Sequence, residues 1–253
     1  KGEVVSLLGP NGSGKSTLVQ HLNALLLPTE GTVLVMDRTI TNKQKPKELK
    51  SLRQKVGLVF QFPEYQLFEE TILKDIMFGP LNFKVPEEKA KELALNALKL
   101  VGLDESYAEK SPLDISGGQK RRVAIAGILA IDPEVLVLDE PTAGLDPQGS
   151  KAMMELFVDL NKKFGKTILI VTHDMEHVIN YCDNVVVMRD GEVINHQRVT
   201  DYFERKNQVE DIQMNLPLLL SMKEMLMDNG FELKQPMRTI DDLANAIAME
   251  IKP

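Results

Sequence analysis

The sequence predicts an α/β fold built on a mainly parallel sheet, with a small, mostly helical domain at its carboxyl end. Short apolar runs rich in β-branched residues alternate with segments of helical periodicity. A glycine-rich loop joins the first apolar run to the first helical segment. The composition then changes, since six of the 12 methionines lie beyond residue 200. We therefore expect a core domain over residues 1–200 and a helical domain over residues 201–253.

Six apolar runs predict the strands. Several are apolar at nearly every position, which suits strands buried on both faces. Asp190 and Gly191 follow the last run, and this pair favours a tight hairpin turn into a further strand. The predicted strands occupy residues 4–8, 32–36, 56–60, 135–138, 167–171 and 185–188.

A helical insertion is predicted over about residues 80–130, between two strands of the core. Its clearest helix begins near Pro86, and Gly102 is suited to end it. Small and apolar residues recur there at helical spacing, at Ala90, Leu93, Ala94, Ala97, Leu98 and Val101.

Composition excludes several classes of protein. A formal net charge of −7 disfavours a general nucleic-acid binder, which needs a basic face. The single cysteine, Cys182, excludes an internal disulfide framework. No apolar run approaches the roughly 18 residues of a membrane span. Because the chain opens directly on a strand, we expect residues upstream of Lys1 in the full protein.

The glycine-rich loop predicts a nucleotide phosphate site. Its sequence matches G-x-x-x-x-G-K-[ST], and it lies between a strand and a helix, as that motif requires. Backbone N–H groups and the helix N-terminus would face the phosphates. Lys15 would reach the β- and γ-phosphates, and the hydroxyl of Ser16 would bind Mg²⁺. The loop consists of Gly9, Pro10, Asn11, Gly12, Ser13, Gly14, Lys15, Ser16 and Thr17.

Two acids end the strand at residues 135–138. Strand ends of open α/β sheets face the ligand crevice, so Asp139 would hold Mg²⁺ and Glu140 would polarise the attacking water. Gln61 follows another strand and would offer an oxygen to Mg²⁺ or water. His173 follows a third strand and would donate a hydrogen bond to a γ-phosphate oxygen.

A second anion-binding helix start follows Ile115. Ser116 would cap the helix, with Gly117, Gly118 and Gln119 behind it. One nucleotide is already served by the phosphate loop, so this turn needs another ligand, or the same ligand presented by a second chain. The basic run at residues 120–122 is interpreted as a solvated helix face.

These motifs together resemble the nucleotide-binding domains of ATP-binding cassette (ABC) transporters. Residues 9–17 are similar to the Walker A motif, Gln61 to the Q-loop and residues 116–119 to the signature motif. Residues 135–140 are similar to Walker B, residues 143–146 to the D-loop and His173 to the switch histidine. The match covers about residues 1–195. It departs in having Ile115 where the signature begins with Leu, and in lacking the adenine-stacking aromatic, which would precede Lys1.

A narrower resemblance is to the second ATPase of energy-coupling factor transporters, which import vitamins or metal ions in prokaryotes. Residues 60–64, 66–71, 75–80 and 121–127 carry it. It implies a peripheral subunit on the cytoplasmic face of the cell membrane. The implied partners are a related ATPase subunit, a transmembrane coupling subunit and a substrate-binding membrane subunit, with no nucleic acid.

The resemblance also implies a mechanism. ATP with Mg²⁺ would lie between two head-to-tail subunits, where Ser116, Gly117, Gly118 and Gln119 contact the partner's ATP and Asp146 crosses the interface. A groove over residues 62–78 would receive a helix of the coupling subunit, with Phe62, Tyr65 and Phe68 exposed. Charge reversal of Glu64, Glu69 and Glu70 would then uncouple hydrolysis from transport, and residues 201–253 would support dimerisation.

Two alternatives stay open. One is the ATPase of an ordinary importer that uses a soluble binding protein. The residues after Gln61 and the tail argue against it. The other is a soluble, non-transport ABC ATPase such as a DNA-repair protein. Such proteins carry a long coiled coil between Walker A and the signature, whereas only about a hundred residues separate the motifs here.

Overall fold

The computed structural model describes residues 1–43, 49–204, 214–233, 235 and 237–251. Contacts divide the chain into two compact units. Unit 1 contains residues 1–2 and 16–170, and unit 2 contains residues 3–15 and 171–253. The domain boundary near residue 200 stays a prediction, and residues 205–213 of the predicted dimerisation region lie outside the described residues.

The elements follow one another along the chain as alternating strands and helices, and the predicted α/β class is confirmed. The strands are β1 (Val4–Leu8), β2 (Val33–Val35), β3 (Arg38–Ile40), β4 (Val56–Val59), β5 (Val135–Asp139), β6 (Thr167–Val171), β7 (Asn184–Arg189) and β8 (Glu192–Arg198). The helices are α1 (Lys15–Leu22), α2 (Lys50–Lys55), α3 (Ile72–Asn82), α4 (Glu87–Leu100), α5 (Gly117–Leu129), α6 (Pro147–Phe164), α7 (Met175–Tyr181), α8 (Val199–Phe203), α9 (Leu218–Asp228) and α10 (Ile240–Ile251).

Unit 1 contains strands in the order β4-β5-β6. β4 is parallel to β5, with Val56 opposite Val135 and Val59 opposite Leu138. All four residues of β4 and the three central residues of β5 are buried. The continuous apolar runs predicted this burial on both faces, and it leaves the strand ends as the places where polar side chains emerge.

The predicted strand over residues 32–36 is not part of that sheet. Among the described residues, β2 pairs with β3, antiparallel, in a separate two-stranded sheet. Leu34 is 71% exposed at its centre. An apolar run of this length fits a buried strand and a short surface hairpin equally well, because only the rest of the fold decides whether a second layer covers it.

Three helices of unit 1, α3, α4 and α5, lie between β4 and β5 in the chain and pack against one another. α4 begins after Pro86 and buries Ala90, Ala94, Ala97 and Leu98, as the spacing predicted. Thr71 caps α3 by accepting a hydrogen bond from the backbone N–H of Lys74. These caps and small residues fix the start of each helix and allow close packing.

Unit 2 contains strands in the order β1-β7-β8. β1 is parallel to β7, whereas β7 and β8 are antiparallel. Asp190 and Gly191 join β7 to β8 with φ values of 49° and 82°. Positive φ at both central residues is the requirement of a tight hairpin turn that matches strand twist, so the predicted hairpin is confirmed.

The carboxyl-terminal helices of unit 2 attach to α7 through polar contacts. The Arg238 guanidinium donates hydrogen bonds to the carbonyl oxygens of Ile179 and Cys182, at the end of α7. The backbone N–H of Leu218 donates to the Glu176 carboxylate. Much of the apolar stripe on α9 stays exposed, since Met222 is 40% and Met225 is 59% exposed.

None of the helices within the described residues is both long enough and apolar enough to span a lipid bilayer.

Candidate functional site

Gly9 begins the phosphate loop because no side chain fits at this position. Its φ is 146°, and a Cβ atom added there would lie 2.2 Å from the carbonyl oxygen of Met188 and 2.8 Å from Ser13 Oγ. Gly12, at φ 82°, has no atom within 4 Å of its position for a Cβ. Glycine is therefore required at position 9 because a side chain would clash, and it is favoured at position 12 because of the positive φ.

The Lys15 side chain folds back to the start of the phosphate loop. Its Nζ donates hydrogen bonds to the carbonyl oxygens of Gly9 at 2.7 Å and Pro10 at 3.0 Å. The Ser13 hydroxyl is buried, and within the described part of the chain it has no hydrogen-bond partner. Buried hydroxyls usually have partners, so the loop carries one cation and one unsatisfied polar group suited to an anionic ligand.

The first turn of α1 is open to solvent and carries no acid. Ser16 and Thr17 are exposed, and no Asp or Glu occurs in that turn. In α4, by contrast, Glu87 and Glu88 offset the partial positive charge of the helix start. The start of α1 therefore keeps the field that favours a phosphate.

Asp139 and Glu140 lie at the carboxyl end of β5, and both are half-buried. Glu140 has a φ of 50°, which places a non-glycine residue in the left-handed region. Its carbonyl oxygen accepts a hydrogen bond from the backbone N–H of Ala143, which closes a turn. Such a conformation costs about 1–3 kcal/mol and persists only where the surroundings hold it.

A second left-handed turn follows Gln61. Gln61 is exposed two residues beyond the end of β4, and the next residue, Phe62, has a φ of 56°. The chain then forms a 3-10 turn over Pro63–Gln66. This turn therefore begins two residues after the predicted Mg²⁺ ligand.

His173 is exposed between two backbone anchors. On one side, the Thr172 hydroxyl accepts a hydrogen bond from the backbone N–H of Asp174. On the other, the Asp174 carboxylate caps α7 by accepting from the N–H groups of Glu176 and His177. These anchors fix the backbone on both sides of the imidazole.

The turn at residues 116–119 is a complete capping box. Ser116 Oγ accepts from the backbone N–H of Gln119, and Gln119 Oε1 accepts from that of Ser116. Gln119 Nε2 also donates to the Tyr107 hydroxyl at 2.9 Å. The predicted ligand-binding Gln119 is therefore already engaged within its own chain.

Nothing in the described part of the chain requires glycine at Gly117 or Gly118. Both are exposed, neither has a positive φ, and a Cβ at either position would meet no atom within 4 Å. Glycine costs about 0.5–1 kcal/mol relative to alanine in a helix. A requirement for glycine here would come from a body outside the chain that approaches the turn closely.

Asp146 is the N-cap of α6. Its Oδ1 accepts a hydrogen bond of 2.6 Å from the backbone N–H of Gly149, and Pro147 occupies the first helical position. The side chain is exposed at the edge of the turn. This local role accounts for an aspartate at this position without any partner.

The predicted site residues divide between the two units. Unit 2 contains residues 9–15 of the phosphate loop and His173. The others belong to unit 1, namely Ser16, Thr17, Gln61, Ser116, Gly117, Gly118, Gln119, Asp139, Glu140 and Asp146. The proposed Mg²⁺ ligands Ser16, Gln61 and Asp139 thus lie in one unit, and their oxygens are of the kind that Mg²⁺ prefers.

Arg121 corrects the interpretation of residues 120–122 as a solvated face. Its side chain is only 3% exposed. Nε and Nη2 donate to the two carboxylate oxygens of Glu64 at 3.0 and 2.9 Å. Nη1 donates to the carbonyl oxygens of Ala143 at 2.7 Å and Pro141 at 3.4 Å. No periodicity signals this burial, because the partners come from two distant segments.

Glu64 is correspondingly unsuited to the predicted docking role. Its side chain is 15% exposed and paired with Arg121. Burial alone would raise the pKa of the Glu64 carboxyl, but the hydrogen bond and charge of Arg121 outweigh burial and lower it. Charge reversal at Glu64 would break a buried ion pair, so only Glu69 and Glu70 remain suitable for the docking test.

A groove on unit 1 is lined by residues of α3, of α4 and of the segments that flank them. It has a volume of about 550 Å³. Phe68 and Phe78, which is at its edge, pack edge to face with ring centroids 5.0 Å apart. Phe68 is 63% and Tyr65 85% exposed, as predicted. Its lining is mixed apolar and charged, with Glu69, Lys74, Met77, Phe78, Glu87, Glu88, Lys91 and Glu109 among the residues.

Comparisons with known proteins agree with these motifs. Residues 1–143 match the family model described as ABC transporter. The chain is 52% identical over 247 residues to the energy-coupling factor transporter ATP-binding protein EcfA2 of Geobacillus kaustophilus, covering 97% of this chain and 85% of that protein. It is 50% identical over 251 residues to EcfA2 of Enterococcus faecalis, covering 99% and 87%.

Solved structures show the same fold. The cbiO1 protein of Clostridium perfringens, part of the ABC transporter complex cbiONQ, is 42% identical with a TM-score of 0.74, covering 88% of each chain. An ATP-binding cassette solved as a dimer in a post-hydrolysis state with ADP and Pi is 38% identical with a TM-score of 0.68. That match covers 78% of this chain and 86% of the cassette.

Proposed function

The chain belongs to the ABC transporter family, and from that premise we propose that it is the ATP-binding and ATP-hydrolysing subunit of an energy-coupling factor transporter. The observation that carries the proposal is the identity of about 50% to EcfA2 proteins over nearly the whole chain. The phosphate loop, with its sterically required Gly9 and its folded-over Lys15, supports the ATP-binding part.

ATP binding begins at the phosphate loop. The β- and γ-phosphates would take Lys15 Nζ from the carbonyl oxygens of Gly9 and Pro10, and would give the buried Ser13 hydroxyl a partner. The acid-free start of α1 adds a favourable field. Mg²⁺ would be held by Ser16, Gln61 and Asp139, and when bound it neutralises charge on the phosphates.

Hydrolysis would use the side chains that follow the strands. Glu140 would orient and polarise the attacking water, and His173 would donate a hydrogen bond to a γ-phosphate oxygen. The left-handed backbone at Glu140 and the anchors around His173 would restrict both side chains before ATP arrives. Little motion would then be needed at the moment of reaction.

A second subunit would complete each ATP site. The exposed Gly117 and Gly118 would let the turn at Ser116 approach the γ-phosphate of an ATP held by the partner, with Gln119 fixing the turn from behind. Asp146 would approach the same interface while capping α6. The related cassette solved as a dimer supports this arrangement.

The wider assembly would be a transporter of a prokaryotic cell membrane, and this chain would bind to its cytoplasmic face as a peripheral subunit. The groove at Phe68 and Phe78 would receive a helix of a transmembrane coupling subunit. A related ATPase and a substrate-binding membrane subunit would complete the importer of a vitamin or metal ion. Solubilised native membranes should therefore yield this chain together with those subunits.

The decisive variant is Glu140→Gln. It removes the base but keeps the shape, so ATP should still bind while hydrolysis falls by roughly 100-fold or more. Size-exclusion chromatography with ATP should then trap a dimer with its partner. Glu155→Gln, on the exposed face of α6, is the matched control and should behave as wild type. Hydrolysis at the wild-type rate in Glu140→Gln would contradict the proposal.

The transport assignment has its own test. The purified complex, reconstituted in vesicles, should couple ATP hydrolysis to uptake. The double charge reversal Glu69→Lys with Glu70→Lys should abolish uptake while hydrolysis continues. Association only with a soluble binding protein and its permease would instead indicate an ordinary importer.

A further inference from the structure

Arg121 connects two segments that each contain a residue with a left-handed backbone. One segment begins at Phe62, directly after Gln61, and the other begins at Glu140. The chain separates these segments by the whole of α3, α4 and α5. The side chain of Arg121 contacts both, so it links the turn after the predicted metal ligand to the turn after the predicted base.

On the Phe62 side, Arg121 makes an ion pair with Glu64 and a cation–π contact with the Phe62 ring. The guanidinium forms a bidentate pair with Glu64 in the 3-10 turn over Pro63–Gln66. Its Cζ also lies 5.5 Å from the centroid of the Phe62 ring, within the range of a cation–π contact. The position of Phe62 is therefore coupled to that of the guanidinium.

On the Glu140 side, the contacts hold the backbone. Nη1 binds the carbonyl oxygens of Pro141 and Ala143, the residues that form the turn after Glu140. The two turns also approach each other directly, since a Cβ atom at Gly144 would lie 3.5 Å from Phe62 Cε1. With both turns strained and one buried cation bonded to each, displacement of one turn must disturb the other.

We propose that Arg121 is a positioning residue for ATP hydrolysis, which holds the loop behind Glu140 in register with the turn behind Gln61 through its pair with Glu64. The inference rests on the proposed function and deepens it, because it names a residue that sets the position of the predicted base. Arg121 itself contacts no substrate in this scheme, and it acts by setting where the Glu140 carboxylate points.

The first test separates kcat from KM in the full chain with its partner subunit. Arg121→Lys keeps the charge but loses the planar fork, so kcat should fall about 10- to 100-fold, as for a misplacement of about 1 Å. KM for ATP should stay within about threefold, because Arg121 belongs to none of the phosphate-binding segments. Glu64→Gln should lower kcat in the same direction, and the double variant should cost little more than the larger single.

The matched control is the next residue along the same helix. Arg122 donates from Nη1 to the carbonyl oxygen of Val101 at 2.7 Å, away from both turns. Arg122→Lys should leave kcat within twofold of wild type. A kcat within twofold of wild type in folded Arg121→Lys or Glu64→Gln would overturn the proposal.

The second test does not depend on hydrolysis. Amide hydrogen exchange at residues 142–146 should accelerate at least about tenfold in Arg121→Lys and remain unchanged in Arg122→Lys. Unchanged exchange in both would overturn the inference even if ATPase activity were high. Wild-type protein without ATPase activity would overturn the proposed function, while the exchange result would still decide the role of Arg121.

Discussion

The phosphate loop and the cluster around Arg121 place functional groups by opposite means. The phosphate loop, residues 9–17, is one continuous stretch whose shape depends on backbone conformation and on close approach at Gly9. The Arg121 cluster joins Phe62, Glu64, Arg121, Pro141 and Ala143 from three segments through side-chain contacts. The first is encoded locally, and the second exists only after folding.

The difference predicts how each region responds to change. A local backbone device fails when one position can no longer adopt its conformation. A side-chain clamp fails when geometry or charge is lost, even though each of its segments keeps its own fold. Changes in the loop should therefore affect binding first, and changes in the cluster should affect the rate of hydrolysis.

Gly9→Ala should have the largest effect. The new Cβ would lie 2.2 Å from the carbonyl oxygen of Met188, so the loop must move or the nearby strand end must shift. Overpacking of this kind costs roughly 1–3 kcal/mol or more. ATP binding, followed with a fluorescent analogue, should be lost.

Gly12→Ala is the control for that experiment. It meets no atom within 4 Å and strains only the backbone, so it should cost about 1 kcal/mol and keep measurable binding. Equal losses in the two variants would contradict the steric role of Gly9.

An intermediate effect is expected at Asp146, which is locally a cap and is proposed to act across an interface. Asp146→Ala should lower the free energy of unfolding by about 1 kcal/mol, because the cap on Gly149 N–H is lost. Asp146→Ser should retain that stability in chemical denaturation. If both variants lose ATP-dependent dimerisation, the interface role stands; if Asp146→Ser behaves as wild type throughout, only the cap matters.

The smallest effect concerns acid stability of the Arg121 cluster. Because the pKa of Glu64 is lowered in the folded state, the unfolded chain binds more protons over the range between the two pKa values. The Arg121 pair therefore stabilises the fold above the ordinary pKa of glutamate and is lost as pH falls through the lowered value. Denaturation from pH 7 to 3.5 should show a steeper loss in wild type than in Glu64→Gln. Parallel pH profiles would contradict the pair.

Most of the site residues and turns that could be predicted lie in short, continuous sequence motifs. Residues 9–17 and the two acids after β5 are readable because backbone demands and strand ends leave residue-level signals. The hairpin at Asp190 and Gly191 was predicted for the same reason, since its φ values admit few other residues. These signals act over a few positions and do not depend on what packs nearby.

Two outcomes that the sequence did not indicate depended on distant segments. The strand predicted at residues 32–36 forms, but it pairs with β3 in a separate surface hairpin in which Leu34 is exposed. In the basic run at residues 120–122, Arg121 is buried because Glu64 and the loop after Glu140 both contact it. Neither partner is close in sequence, so no local pattern could signal the contact.

The sequence by itself determined the fold class, the family and the order of the motifs, because each depends on spacing and on backbone chemistry along a continuous chain. Only the tertiary structure decided that Arg121 is a clamp, that Glu64 is its counter-ion and that Gly117 and Gly118 face open space. The physical reason is that burial and ion pairing are properties of the surroundings, which form only when segments far apart in the chain come together.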